Sequence, residues 1–338
     1  MRKLFVEIFF IAFLFLILVS WLEKRYSGYR TKADLMMDSF FSSAENAEVL
    51  LVGNSHAIAV YEQISNLPGD KVSLLALGGL DVFQMRNLTC KFAGRMKNLK
   101  LIIICADEYC FGNNLKLLNF SYVDRMLYPY TDTLYEKSLS AKISARSNFL
   151  RSNRDLSYLF SRNDNSANGK ENVADNRPNP LANINCADRA IELTEKRFQK
   201  KLYPENNKLF GELLDGALKT KAAVVIVSLP KSPCYNTYKN TEHTMEGDSM
   251  LRAFALKKNI LYYNLAYVDS MDETNFRDAD HMNKKGVMAF ISIMDEVLRK
   301  DSVVADFGSM ISETQRQRDV PKMQTQISLN FASKEDVK

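Results

Sequence analysis

A chain of 338 residues, 46% hydrophobic and 25% charged, is long enough to bury a sizeable core and is not composed like a disordered polymer. Its net charge of +5 arises from 45 basic and 40 acidic residues without a basic stripe interleaved with aromatics, which argues against nucleic-acid binding. The five cysteines lack metal-ligand spacing and only His56, His243 and His281 offer imidazoles, so no metal centre and no other cofactor is expected.

The chain opens on a membrane signal. Residues 4–22 are almost wholly apolar, broken by Glu7 and Ser20 and preceded by Arg2 and Lys3. About 20 residues of helix are needed to cross the hydrocarbon layer, and this run suffices. Trp21, Tyr26 and Tyr29 follow, where amphipathic rings settle at an interface. No small-x-small cleavage site follows the run, so residues 1–30 read as an uncleaved signal anchor rather than a removed signal peptide. Counting Arg2 and Lys3 against Lys24, Arg25, Arg30 and Lys32 would leave the large domain in the cytoplasm, although long domains translocate largely regardless of such charge.

Residues 31–46 read as a polar, partly helical connector to a domain at 47–300. Strand-length apolar runs occur at 49–52, 71–77, 101–104, 222–227 and 260–263. Helical periodicity lies between them at 57–64, 80–96 and 207–220, and again after His281. Continuous rather than alternating apolar strands suit a sheet covered on both faces. The pattern predicts an α/β fold with a doubly wound, mainly parallel sheet. Residues 112–203 form an expected helical insertion that either shapes a groove, docks a partner or only packs. Within it, Pro129 is expected to interrupt any helix, and the Asn-, Asp- and Pro-rich residues 162–185 read as a mobile loop. Residues 301–338 read as a polar, flexible tail.

Open α/β sheets bind ligands beyond the carboxyl ends of their strands. Ser55, Gly78, Gly79 and Asp107 all follow expected strands, and Asp278 and His281 follow the last one after a loop long enough to return to that rim. A serine hydroxyl needs a base to become a nucleophile; His281 is the candidate base, and Asp278, three residues earlier, can orient its imidazole from one short turn. A helix starting near His56 would add backbone N–H donors for an oxyanion near Ser55. Each segment alone has an ordinary explanation: Gly-Asn-Ser is a common turn and N-cap, and Asp-x-x-His a common helix start. It is their pairing at correctly ordered strand ends that points to chemistry. Asp280 competes with Asp278 on spacing alone, His56 reads as a partly buried helix-start residue adjoining the site rather than a base, His243 as exposed, and Asp107 and Glu108 as solvated strand-end acids.

Gly53-Asn54-Ser55-His56 resembles the first block of the GDSL/SGNH hydrolases, and Asp278-Ala279-Asp280-His281-Met282-Asn283 resembles their last. The resemblance covers about residues 47–300 and implies a three-layer α/β/α, flavodoxin-like domain. It implies Ser55 as nucleophile, His281 as general base and Asp278 as its partner, with an oxyanion hole from the N–H groups of Ser55 and of Gly78 or Gly79. The family's third block, Gly-x-Asn-Asp, has no counterpart in Cys105-Ala106-Asp107-Glu108-Tyr109, and Asn113 or Asn114 is the candidate substitute donor. With its anchor, the chain is similar to SGNH-like envelope proteins of alginate acetylation and teichoic-acid D-alanylation. That similarity implies a single-pass protein of the cytoplasmic membrane with an extracytoplasmic domain, an acylated glycan as substrate and a membrane-bound O-acyltransferase as partner. The reaction implied is ester hydrolysis or O-acyl transfer; the other class of function is a non-catalytic glycan-binding or scaffold module.

Overall fold

The structure, a computed structural model, describes residues 2–28, 30–65, 71–113, 121–151, 185–303 and 307. Asn114, the loop expected at 162–185 apart from Asn185, and most of the 301–338 tail lie outside them. The element order is α1 (Arg2–Tyr26), α2 (Lys32–Ser43), β1 (Val49–Gly53), α3 (Ser55–Ile64), β2 (Val72–Ala76), α4 (Val82–Phe92) and β3 (Leu101–Cys105). The insertion supplies α5 (Ser121–Thr131), α6 (Leu139–Arg146), α7 (Asn148–Arg151) and α8 (Cys186–Ile191). There follow α9 (Tyr203–Leu218), β4 (Ala223–Ser228), α10 (Pro233–Tyr238), α11 (Thr241–Lys258), β5 (Leu261–Asn264) and α12 (Lys284–Lys300).

All five strands pair in parallel in the order β2-β1-β3-β4-β5. Alternate residues serve opposite faces. Leu50, Val52, Ile102, Ile104 and Ile226 join the core beneath α2, α4, α5 and α9, whereas Leu51, Ile103, Cys105 and Val227 join the core beneath α3 and α12. The doubly wound α/β class is as the apolar runs led one to expect, and each strand ends within one residue of its expected limit.

The 31–46 segment is more than a connector. Thr31 and Asp34 form a capping box, and Ala33, Met36, Met37 and Phe40 recur at helical spacing and are buried. Ser43 Oγ donates to Ser73 Oγ on β2 at 2.8 Å, which closes α2 onto the sheet edge. Pro129 does not interrupt α5 either: it lies in the last turn, where it forfeits one backbone hydrogen bond before the helix stops beside Asp132, at φ 54°.

Residues 5–26 of α1 form a helix long and apolar enough to cross a membrane, and the side chains of Phe5, Phe9, Leu16 and Trp21 are exposed. Its last turns dock on the insertion: Glu23 accepts from the Ser147 hydroxyl and, at 2.8 Å, from the Asn148 N–H, while the buried Tyr26 ring meets Phe149 edge-on at 5.2 Å.

At the end of β1, a Cβ on Gly53 would fall 2.8 Å from Ala57 Cβ and 2.9 Å from Cys105 Cβ. Only glycine lets α3 begin this close to β3. Gly53→Ala is expected to cost about 1–3 kcal/mol through overpacking, to be read as a lowered denaturation midpoint at unchanged slope.

Candidate active site

Asn54 turns the chain from β1 into α3. Its Oδ1 accepts from the His56 N–H at 3.0 Å as the N-cap, and its Nδ2 donates to Asp107 Oδ2 at 3.0 Å. Ser55 is thereby set in the first turn of α3, half-buried, at the positive end of the helix dipole.

The 278–281 segment reaches Ser55 as a tight loop. Phe276 and Met282 form an antiparallel bridge at its base, the Arg277 N–H donates to the His281 carbonyl at 2.8 Å, and Asn283 caps α12 just beyond. The Ser232 N–H, after β4, donates to the Ala279 carbonyl at 3.2 Å and holds the loop to the rim. Within the loop, Asp278 Oδ1 accepts from the N–H groups of Asp280 and His281 at 3.1 and 2.8 Å.

The structure brings the three residues together. His281 Nε2 lies 2.9 Å from Ser55 Oγ, and His281 Nδ1 lies 2.8 Å from Asp278 Oδ1. With the ring proton on Nδ1, donated to Asp278, the lone pair on Nε2 faces the serine hydroxyl. Burial alone would lower the His281 pKa, but hydrogen bonds and charge from Asp278 and Asp280 prevail and raise it. Burial likewise opposes ionisation of Asp278, and the imidazole overcomes it, holding that carboxyl below the usual carboxylate range.

Around this line lies a buried charge network absent from the sequence reading. Lys231, with no solvent exposure, places Nζ 2.7 Å from Asp107 Oδ1 and 2.9 Å from His56 Nδ1. Asp107 Oδ2 lies 2.8 Å from His56 Nδ1 and accepts from Tyr109 Oη at 3.0 Å. His56 Nε2 reaches Asp280 Oδ2 at 3.0 Å, and Arg189 of α8 forks onto the same carboxylate at 3.0–3.2 Å. Asp107 and Glu108 are buried instead of solvated, and His56 is an interior residue. Burial works against the Asp107 carboxylate, yet His56 and Lys231 hold its pKa far below the ordinary range, while burial pushes Glu108 up.

Other expected positions fall differently. Asn113 donates Nδ2 to the carbonyls of Tyr109 and Leu193, at 3.2 and 3.4 Å, so its amide protons are directed at backbone carbonyls. Gly78 and Gly79 are exposed just beyond β2, next to β1 in the sheet, and Gly79 takes φ 81°, a conformation that favours glycine. His243 is half-buried, not exposed: it stacks on Phe198 at 4.1 Å, and its Nδ1 lies 2.7 Å from the Thr194 carbonyl. Cys186 and Cys234 form a disulfide that staples α8 to α10, a pairing that scattered spacings could not disclose.

His56, Asp280 and His281 bring three potential metal-ligand atoms within 4.8 Å of one another. Lys231 and Arg189 already direct positive charge at two of these residues, so a cation would enter against both. The cluster is an ion-pair network.

No family model and no curated protein matches the chain. Among solved structures, a candidate acylhydrolase from Bacteroides fragilis aligns with a TM-score of 0.42 at 10% identity, over 82% of this chain and 100% of its own.

Removing one member of a buried pair leaves an uncompensated charge. Lys231→Met is expected to destabilise the fold by about 3–5 kcal/mol, and adding Asp107→Asn should recover much of that loss. Chemical denaturation of the single and double variants, analysed as a cycle, reads the coupling.

Proposed function

We propose that this chain is a membrane-anchored serine acyl-ester enzyme of the GDSL/SGNH type, an esterase or O-acyltransferase acting on acyl groups of an extracytoplasmic glycan. The observation that carries the proposal is the unbroken line from Ser55 Oγ through His281 to Asp278, at 2.9 and 2.8 Å. In this reading Ser55 Oγ attacks the ester carbonyl carbon while its proton passes to His281 Nε2. The carbonyl π electrons move to oxygen, giving a tetrahedral oxyanion. Its collapse breaks the bond to the leaving alkoxide, which takes the proton from His281, and the acyl group stays on Ser55. Water or a sugar hydroxyl then gives its proton to His281 and attacks the acyl carbon, and collapse breaks the bond to Ser55 Oγ, which takes that proton back from His281. Water yields the free acid; a sugar yields a new ester.

The oxyanion donors assigned here are the backbone N–H of Ser55, at the head of α3, and those of Gly78 or Gly79 on the adjoining strand end. Two observations support the setting. The apolar length of residues 5–26 suits a membrane anchor, and the Cys186–Cys234 disulfide suits an oxidising compartment. The second counts against the orientation that simple charge counting gives. A membrane-bound O-acyltransferase is the partner proposed, as the donor or acceptor of the acyl group.

One observation favours a second reading, a non-catalytic glycan-binding or scaffold module. Asp107 stands after β3 where the family pattern carries a side-chain donor, and it is an acceptor committed to Lys231, His56, Asn54 and Tyr109. Losing one oxyanion donor costs about 2.7–4 kcal/mol of transition-state stabilisation.

A fluorophosphonate probe separates the two. Wild-type protein is expected to be labelled, Ser55→Ala and His281→Ala to be inert, and Asp278→Asn to react about 10³–10⁴-fold more slowly. Folded wild-type protein that stays unlabelled would favour the binding module. Because the base works only when neutral and its pKa is raised, labelling should fall with acid along a limb whose midpoint lies above about 6.5. A limb centred below that value contradicts the assigned environment of His281. Reporter fusions placed after Lys32 are expected to be active only outside the cytoplasm; the opposite pattern sinks the envelope setting.

A further inference from the structure

The acyl-transfer steps use one of the two carboxylates beside His281. We infer that Asp280 is a positioning residue for the base and that Arg189 is the contribution of the insertion to the site, holding Asp280 close to His281 without letting it displace Asp278. The inference takes its chemistry from the serine-ester reading; its geometry stands independently.

Asp280 is 1% exposed and has every oxygen accounted for. Arg189 Nε lies 3.2 Å from both Oδ1 and Oδ2, and Nη2 lies 3.0 Å from Oδ2. His56 Nε2 takes Oδ2 at 3.0 Å. What remains is Oδ1, 3.4 Å from His281 Nδ1. That is outside good hydrogen-bond range, whereas Asp278 sits at 2.8 Å. A neutral imidazole has one Nδ1 proton, and Asp278 receives it. Asp280 supplies negative potential where the imidazolium forms, in a dry setting where such potential acts strongly.

Arg189 makes this division of labour possible. Without the fork, Asp280 would be a buried carboxylate with only imidazole partners, free to turn onto Nδ1 against Asp278. Arg189 lies three residues after Cys186, and Lys231, which supports His56, lies three residues before Cys234. The disulfide therefore staples together the two segments that hold Asp280, one directly and one through His56. An insertion that only packed would not need to bury a guanidinium on the loop of the base.

The titratable and charged groups facing His281 are Asp278, Asp280 and Arg277 on its own loop, His56 and Glu62 from α3, and Arg189 from α8. Among these, Asp280 and Arg189 have opposite signs, so replacing each makes opposite demands on the imidazole. With three histidines in the chain, His281 can be followed by imidazole NMR in isotopically labelled full-length protein in detergent micelles, with His281→Ala fixing the assignment.

Asp280→Asn is expected to move the His281 titration to lower pH by about one unit, and Arg189→Met to move it to higher pH. Fluorophosphonate labelling should slow by about tenfold or more in Asp280→Asn, with its acid limb displaced in the same sense, and Asp280→Glu should restore part of the rate. A merely structural role predicts lower thermal midpoints with the titration unmoved. Unmoved titrations in both variants, or shifts in the same direction, would overturn the inference. If wild-type protein is not labelled at all, the serine-ester reading fails, and the opposed NMR shifts still decide the placement of Asp280 and Arg189.

Discussion

An ammonium group with no solvent exposure must find its counter-charge inside the protein, and Lys231 finds Asp107 at 2.7 Å. This requirement organises the carboxyl end of the sheet. Lys231 follows β4 and Asp107 follows β3, so the pair fixes the exits of two neighbouring strands. Asp107 also takes Asn54 and Lys231 meets His56, which draws in the turn from β1 to α3. Three strand ends are thus held by groups whose separation would strand a charge in a low-dielectric interior, where such losses are large. A pair of this kind is not needed for stability as such, since apolar residues can fill a core as well. Its use here is to fix the turn that presents Ser55.

The strand order explains why this turn is the place for a site. In the order β2-β1-β3-β4-β5 the chain reverses direction across the sheet between β1 and β3, opening a crevice beyond their carboxyl ends. Ser55 and Asp107 flank that crevice. The 278–281 loop is tied to it by a backbone hydrogen bond from the segment after β4, Ser232 N–H to the Ala279 carbonyl. Gly53 completes the approach by letting α3 begin almost against Cys105.

Much of this was legible in the sequence, and the rest was hidden for identifiable reasons. Strands β1, β2 and β3 could be read because each is buried along its whole length, leaving runs that are apolar but for Ser73. Ser55 could be read because it stands at a strand–helix junction, and Asp278 with His281 because their contact is local, three residues apart. Arg189 and Asp280 are 91 residues apart, and Lys231 and His56 are 175 apart. In a sequence such charges look like loop residues in water, and only the fold shows that they face one another. Helix α2 was underestimated because Lys32, Asp34, Asp38, Ser39, Ser42 and Ser43 dilute a short but regular buried stripe of Ala33, Met36, Met37 and Phe40. The disulfide lay beyond reach because five cysteines admit many pairings and no spacing distinguishes them.

The charges around the two central imidazoles bear on what the site can stabilise. Asp107, Asp278 and Asp280 are held as carboxylates, with their pKa values lowered, while Lys231, Arg189 and, at 3.8 Å from Asp278, Arg277 supply the facing cations. Burial raises the pKa of the neighbouring Glu108, opposite to the shift of the three aspartates. A proton arriving on His281 Nε2 from Ser55 would make the ring a cation, and Asp278 and Asp280 meet that charge on the opposite side, at Nδ1. The raised pKa of His281 expresses the pull of the same two carboxylates at equilibrium. Two carboxylates converging on one face of the imidazole favour an imidazolium over the resting ring, which is what the proposed acyl transfer requires of its base.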